Sequence, residues 1–511
     1  MAAALLQAQA TRKGARAKKA KIERSHGRRF IKFSQTFSRV PGAYSRTVVC
    51  DPQSLTREIA ARRFDTFVDF WTEKFSKNWR RLGAFASARG SLDIPMAARS
   101  NPLKSRFGFG GYRIGSEVAL HRAALHRAIA LGCTTFDTSP NYVDGESERL
   151  LGQVLIEAQA QHGVARHELF ITTKVGAIQG YDLAYARQRE AEGRGWSNVV
   201  KLSESSWFCL SPDFIEHSVR SSAERLGTWP DAVLLHNPEL LLSDVVRHHG
   251  TAAATSSDSQ SAFYAQLTDA FEACERLTDA HARGETGVRV YGVSTNPFGC
   301  RWSVSGDVNV AEATCLSRLF KSAEAAATRH GRSMEPAFRI VQLPLNLLEP
   351  HAAMATTLHG HGESSDAASE GPPLSPIDLA NQLGLTVMAH RPLNAIPPAD
   401  LAPASRERKN YLVLRETRPV KPTLALLRHT VGPVLLAAAG RHLSLEELAL
   451  LFTASAPGVD VTLCGMRSPA YVERTLALND VLVPPETHRA AVQALRTLLK
   501  ELDPGAAGTA G

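Results

Sequence analysis

Four side chains of types suited to moving a proton each follow a short strand-like run in this sequence. Asp137 and Tyr142 come after Thr134-Thr135-Phe136, Lys174 after Thr172-Thr173, and His236 after Leu234-Leu235. A phenol loses its proton near pH ~10, and a cation beside it favours the phenolate and makes it a better acid. Lys174 can supply that cation, with Asp137 holding the lysine ionised through a charge-assisted hydrogen bond. His236 can orient a carbonyl oxygen by hydrogen-bonding to it. Together the four suit protonation of a carbonyl oxygen while hydride reaches its carbon. Each residue alone also has an ordinary explanation: a loop carboxylate, a half-buried tyrosine, an exposed loop lysine, a satisfied core histidine. No nucleophile elbow, metal-ligand cluster or phosphate loop of the Gly-x-x-x-x-Gly-Lys type accompanies them.

Such chemistry needs a scaffold that gathers strand ends. Phe107-Gly-Phe-Gly-Gly111 is followed by strand candidates at Thr134–Asp137, Leu169–Thr173, Ala232–Leu235, Val288–Ser294, Phe338–Leu343, Leu385–Ala389 and Val461–Cys464. Helical spacing occupies Glu117–Leu131, Pro212–Leu226, Phe263–Arg283, Ala311–Arg329 and Ser444–Thr453. Eight strands alternating with helices predict an α/β fold, a closed parallel (β/α)8 TIM barrel, with a doubly wound sheet as the competing arrangement. The barrel is expected over residues 106–490, with long polar loop insertions near 176–211, 247–261, 356–376 and 395–440 and a C-terminal tail over 491–511. Trp196, Trp207 and Phe208 in the first insertion could line a pocket or only anchor the loop. A barrel places catalytic groups at the carboxyl ends of its strands, where Asp137, Lys174 and His236 stand.

With those positions in view, the chain resembles the aldo-keto reductase family over residues 106 to 485. The resemblance rests on Asp137, Tyr142, Gly145-Glu-Ser-Glu148 and Leu151-Gly152, on Lys174 in Thr-Thr-Lys-Val-Gly, and on His236 in Leu-Leu-His-Asn-Pro. It implies a catalytic tetrad of Tyr142, Lys174, Asp137 and His236 acting with NADP (NADPH). It also implies a carboxamide site at Ser294, Thr295 and Gln342, in which Thr295 stands at the usual asparagine position with Asn296 beside it. His390 stands where the family stacks an aromatic ring on the nicotinamide, and Arg391 could pair with a phosphate. Gly465, Arg467 and Ser468, after the eighth strand, resemble the phosphate element, and a 2′-phosphate there favours NADPH over NADH. The downstream Glu-Asn pair that holds adenine appears here as Arg474-Thr475.

Composition bounds the remainder. The net charge of +9 is uneven: residues 1–50 hold twelve Lys/Arg against Glu23 alone, giving +11, so the rest sums to 9 − 11 = −2. The basicity therefore belongs to a tail and gives no support for a nucleic-acid-binding body. That tail reads as a disordered targeting segment, which implies a mitochondrial location with a cytoplasmic one as the alternative, as an RNA-binding or nuclear-localising tail, or as an idle solvated one; a protein or RNA partner would be reached through residues 1–100. Residues 51–105 read as a helical extension carrying an aromatic stripe from Phe64 to Phe85. No apolar run approaches the roughly 18–20 residues that span a bilayer. Seven scattered cysteines lack the close pairs of a zinc site or a redox dithiol. The leading expectation is an NADP-dependent oxidoreductase acting on a small carbonyl or sugar substrate. Its rival is a catalytically weak NADPH-binding scaffold or subunit of a larger assembly, with or without RNA.

Overall fold

A computed structural model of the chain describes residues 21–25, 28–35, 46–50, 105–296, 314–332, 335–354, 374–394, 420–440 and 442–502. The chain divides into a first unit, Met1–Arg99, and a second, Ser100–Gly511. In the first, Lys21–Ser25, Arg28–Gln35 and Arg46–Cys50 form a three-stranded antiparallel sheet. The expectation of a disordered segment differs here for a compositional reason. Ile22, Phe30, Ile31, Phe33, Val48 and Val49 are residues that strands favour, and they are interspersed with the basic residues that dominate a charge count. The aromatic stripe lies outside the described residues.

The second unit is built on eight parallel strands: β1 (Phe107–Gly110), β2 (Thr135–Asp137), β3 (Phe170–Val175), β4 (Ala232–His236), β5 (Val290–Ser294), β6 (Phe338–Pro344), β7 (Thr386–His390) and β8 (Val461–Cys464). Each pairs with its neighbours in sequence, and Thr462 of β8 pairs with Phe107 of β1, so the sheet closes into a barrel and the doubly wound alternative is excluded. The helix Pro212–Leu226 shows how the outer layer is punctuated. Pro212 sits in its first turn, where its missing N–H costs nothing, and Gly227 closes it at φ 64°.

The insertions are more ordered than their polarity implies. Within 176–211, Ala177–Ile178, Val200–Ser203 and Ser206–Phe208 form an antiparallel sheet, and Gly180–Ala191 is a helix. The polar stretch 247–261 is largely helical, running through Ser243–His249 and Thr251–Ala254 into Ser257–Ala282. Val420–Ala439 is a helix despite Pro433. The C-terminal segment from 491 also differs from a tail, because Pro485–Leu502 is one helix whose Ala491, Leu495 and Leu498 are buried in the core. Those residues recur at helical spacing, a signal that a composition-based boundary overlooks. Most of the insertion near 356–376, and residues 395–419, lie outside the described residues. No helix among the described residues is long and apolar enough to cross a membrane.

Strand periodicity connects this core to the site. Phe170, Ala232, Leu234, Ile340, Met388, Val461 and Leu463 form a buried cluster separate from the larger one. Side chains alternate faces along a strand, so residues two positions apart share a face. Continuing from Leu234, Ile340 and Met388 by two residues gives His236, Gln342 and His390, and continuing from Phe170 by four gives Lys174. Polar groups at the barrel mouth thus stand directly above an apolar plug. On β5, Gly292 permits close approach to β6, since a Cβ there would fall 1.9 Å from the Ile340 carbonyl oxygen. Gly292→Ala is expected to cost about 1–3 kcal/mol or more through overpacking, read as a lowered denaturant midpoint at unchanged slope.

Candidate active site

The β2 and β3 ends bring three of the four expected residues into direct contact. Lys174, 1 % exposed, donates to both Asp137 carboxylate oxygens at 2.8 and 2.7 Å, to the Thr138 carbonyl at 3.0 Å and to the Tyr142 hydroxyl at 3.0 Å. Register explains the meeting: Asp137 pairs with Thr172 across the β2–β3 ladder, two residues before Lys174. Burial opposes the lysine charge, but the Asp137 carboxylate and the Tyr142 hydroxyl outweigh it, so the ammonium is held above its ordinary range. His236 ends β4, its ring centroid 6.5 Å from that of Tyr142 and nearly perpendicular to it. Burial, with the charges of Lys174 and Arg391, depresses the imidazole to about 3, so at neutral pH it is uncharged and retains one N–H to donate.

The electrostatics of Tyr142 differ from the sequence expectation. Lys174 does favour the phenolate, yet burial is the larger effect and the phenol lies above its ordinary value. Lys174 divides its charge among Asp137, a backbone carbonyl and the phenol, which a motif in sequence cannot reveal. Tyr142 is therefore protonated at neutral pH, as a proton donor must be before it acts. The loop that follows it is strained: Val143, Asp144 and Gly145 have φ of 51°, 53° and 84°. A β-branched residue in that region costs on the order of 1–3 kcal/mol, which the surroundings must offset.

The expected cofactor residues fall into an inner and an outer group. Ser294 donates to the Gln342 side-chain oxygen at 2.7 Å, and Gln342 donates to Asp137 at 2.8 Å. Gln342 thus supports the Lys174–Asp137 pair, a link the sequence did not show. Thr295 is fully buried and donates to Glu239 at 2.8 Å, while Asn296 donates to Asn237 at 3.1 Å. Those bonds tie the β5 end to the β4 end. His390, half-buried at the end of β7, is kept uncharged by burial and by Arg391. Arg391 follows it at φ 57° and, among the described residues, its guanidinium has no hydrogen-bonding or ion-pair partner. After β8, Gly465 is exposed with no atom within 4 Å of where a Cβ would sit, and Ser468 caps the helix Pro469–Leu476 by accepting from the Tyr471 N–H. Arg467 is half-buried beside them. Thr475 is turned inward, 4 % exposed and hydrogen-bonded to Cys464, while Arg474 lies over the Tyr471 ring. The aromatics of the first insertion are anchors: Phe208 is fully buried and Trp196 packs on Phe214 at 4.9 Å.

Glu239 is the functional candidate that sequence reasoning missed. It lies three residues after His236 in the 3-10 turn Pro238–Leu242, which follows Asn237 at φ 53°. Burial pushes its carboxyl up to about 7, against hydrogen bonds from the backbone and Thr295 and the charge of Arg391. A carboxyl raised in the folded state keeps a proton that the unfolded chain releases. Its contribution to stability is complete below the unfolded value near 4.5 and is lost as pH rises through about 7. Glu239→Gln, which cannot ionise, should remove that dependence: between about pH 5 and pH 8 the wild type should lose stability relative to the variant. Denaturation midpoints at both pH values check this, and parallel curves would contradict it.

Against known proteins, residues 106–300 match the model of the Aldo/keto reductase family. The resemblance read from the motifs is borne out over that stretch, which is an aldo-keto reductase domain and hence an oxidoreductase by family. The match spans β1 to β5; the closing strands, with His390 and Arg467, lie beyond it. None of the curated proteins matches the chain in sequence. Among solved structures, the glycerol dehydrogenase AKR11B4 from Gluconobacter oxydans is 16% identical with a TM-score of 0.46, over 77% of this chain and 91% of its own. Aldo-keto reductase AKR11C1 from Bacillus halodurans is 16% identical with a TM-score of 0.45, over 76% and 91%. An aldo/keto reductase from Klebsiella pneumoniae, in complex with NADP and acetate, is 18% identical with a TM-score of 0.40, over 78% and 91%.

Proposed function

We propose that the protein is an NADP-dependent oxidoreductase that reduces an aldehyde or ketone, or in reverse oxidises an alcohol or sugar, with Tyr142 as the proton donor. The observation that carries this reading is the Tyr142 hydroxyl 3.0 Å from a lysine ammonium that is itself fixed by both oxygens of Asp137. A donor set suited to a nicotinamide dinucleotide surrounds it. Ser294 and Gln342 offer hydroxyl and amide groups for a carboxamide, and His390 offers a neutral ring face. Arg391 offers a guanidinium with no ion-pair contact among the described residues, and Gly465 leaves space for a phosphate to approach the backbone. Arg467 and Ser468 are placed after the eighth strand, where a 2′-phosphate would distinguish NADPH from NADH.

When bound, NADPH supplies a hydride to the carbonyl carbon. As negative charge develops on the carbonyl oxygen, Tyr142 gives it a proton while His236, being neutral, donates a hydrogen bond that keeps that oxygen in place. Lys174 stabilises the phenolate left on Tyr142, and Asp137, held by Gln342, prevents the lysine from losing its charge or drifting. In the reverse direction the same groups run backwards, with the phenolate taking the alcohol proton.

The test is consumption of NADPH, and separately NADH, by the purified full chain over aldehydes, ketones and quinones, with cofactor affinity followed by fluorescence. Turnover with tighter binding of NADPH is the expected result. Saturable NADPH binding without turnover of any carbonyl or alcohol would contradict the enzymatic reading and favour the scaffold one.

A further inference from the structure

The strained run after Tyr142 is bonded locally by the helix that follows it, and one side chain from a distant helix also packs on it. Arg225, near the end of the helix Pro212–Leu226, donates through Nε to Glu148 at 2.6 Å, and Glu148 is fully buried. The other Glu148 oxygen accepts from the Thr173 hydroxyl at 2.5 Å, and Thr173 precedes Lys174 in β3. The stem of Arg225 lies against Gly145, where an added Cβ would meet its Cδ at 2.8 Å and its Nε at 3.1 Å. Its guanidinium also comes within 4.0 Å of Asp182 in the insertion helix Gly180–Ala191, whose first residue packs against Asp144. One cation therefore touches the loop that carries Tyr142 and the insertion beside it, and reaches the strand that carries Lys174 through Glu148.

The geometry points to Arg225 as a positioning residue for the proton donor: pinned by Glu148, it clamps the left-handed run Val143–Gly145 and so fixes Tyr142 against Lys174. The inference rests on the proposed role of Tyr142. Val143 is the residue with most to gain by leaving that run, because its branched side chain disfavours positive φ while glycine tolerates it. Arg225 thereby opposes a relaxation that would carry the phenol away from the reacting oxygen.

The experiment compares wild type, Arg225→Met, and Arg225→Met with Val143→Gly in the full-length protein. Methionine retains apolar bulk and removes the charge. Arg225→Met is expected to lower kcat about 10- to 100-fold, as a small misplacement of a catalytic group does, with KM and the NADPH dissociation constant within about twofold. Adding Val143→Gly, which lets the run persist without a clamp, is expected to restore most of the lost kcat. Amide exchange over residues 142–146 and 180–184 should quicken in Arg225→Met and leave β5 unchanged. Thermal stability should fall under either reading, because Glu148 loses its buried cationic partner. A parallel fall in kcat and NADPH affinity with no rescue by Val143→Gly would reduce Arg225 to an ordinary structural ion pair and overturn the inference. If the wild type itself turns over no carbonyl while binding NADPH, the proposed function fails. The exchange measurement then decides alone, quickening at 142–146 supporting the clamp and its absence overturning it.

Discussion

Tyr142→Phe is expected to lower kcat for carbonyl reduction by about 10²- to 10⁴-fold, the range that a positioned general acid contributes. NADPH affinity and thermal stability should stay close to those of the wild type. Three observations support that separation of effects. The ring is kept, so its edge contacts with Tyr112 and His236 survive. Lys174 loses one acceptor but keeps both Asp137 oxygens and the Thr138 carbonyl, leaving no buried charge without a partner. None of the residues proposed to hold the cofactor depends on the hydroxyl. Steady-state kinetics beside fluorescence titration of NADPH check the expectation. Turnover unaffected by the substitution would assign the proton to another group.

Lys174→Met should damage both catalysis and folding. The phenol would lose the cation that opposes its rise on burial, and the Asp137 carboxylate would be left buried with Gln342 as its remaining side-chain donor among the described residues. Breaking one partner from a buried ion pair costs about 3–5 kcal/mol. The substitution is thus expected to lower the denaturation midpoint substantially and to reduce kcat at least as far as Tyr142→Phe. Lys174→Arg is a useful companion, because it preserves charge but presents a planar fork where a compact ammonium bonds four oxygens. It should recover stability more than activity. A Met variant as stable as the wild type would show that the pair is not a buried ionic one.

The barrel was legible because parallel strands buried on both faces leave short apolar runs. Asp137, Lys174 and His236 could be found as the polar residues that end such runs. What the sequence hid are long-range interactions. Thr295 bonded to Glu239, Gln342 bonded to Asp137, and Arg225 bonded to Glu148 join residues 56, 205 and 77 positions apart, which no local pattern encodes. The sign of the Tyr142 shift was also misjudged, because it depends on how much water the fold removes from the phenol. Strands in the basic N-terminal segment were masked by charge, and the C-terminal helix by a boundary drawn from composition. The family match ends at residue 300, and it is beyond that point that His390 and Arg474-Thr475 depart from the pattern the resemblance implies.

The most direct test of the central claim is the fate of the transferred hydrogen. With NADPH carrying deuterium at the reactive C4 position and an aldehyde from the active panel, the account predicts an alcohol bearing one deuterium on the former carbonyl carbon, formed by the wild type and nearly absent with Tyr142→Phe. An alcohol formed without deuterium from either C4-labelled form of the cofactor would contradict it.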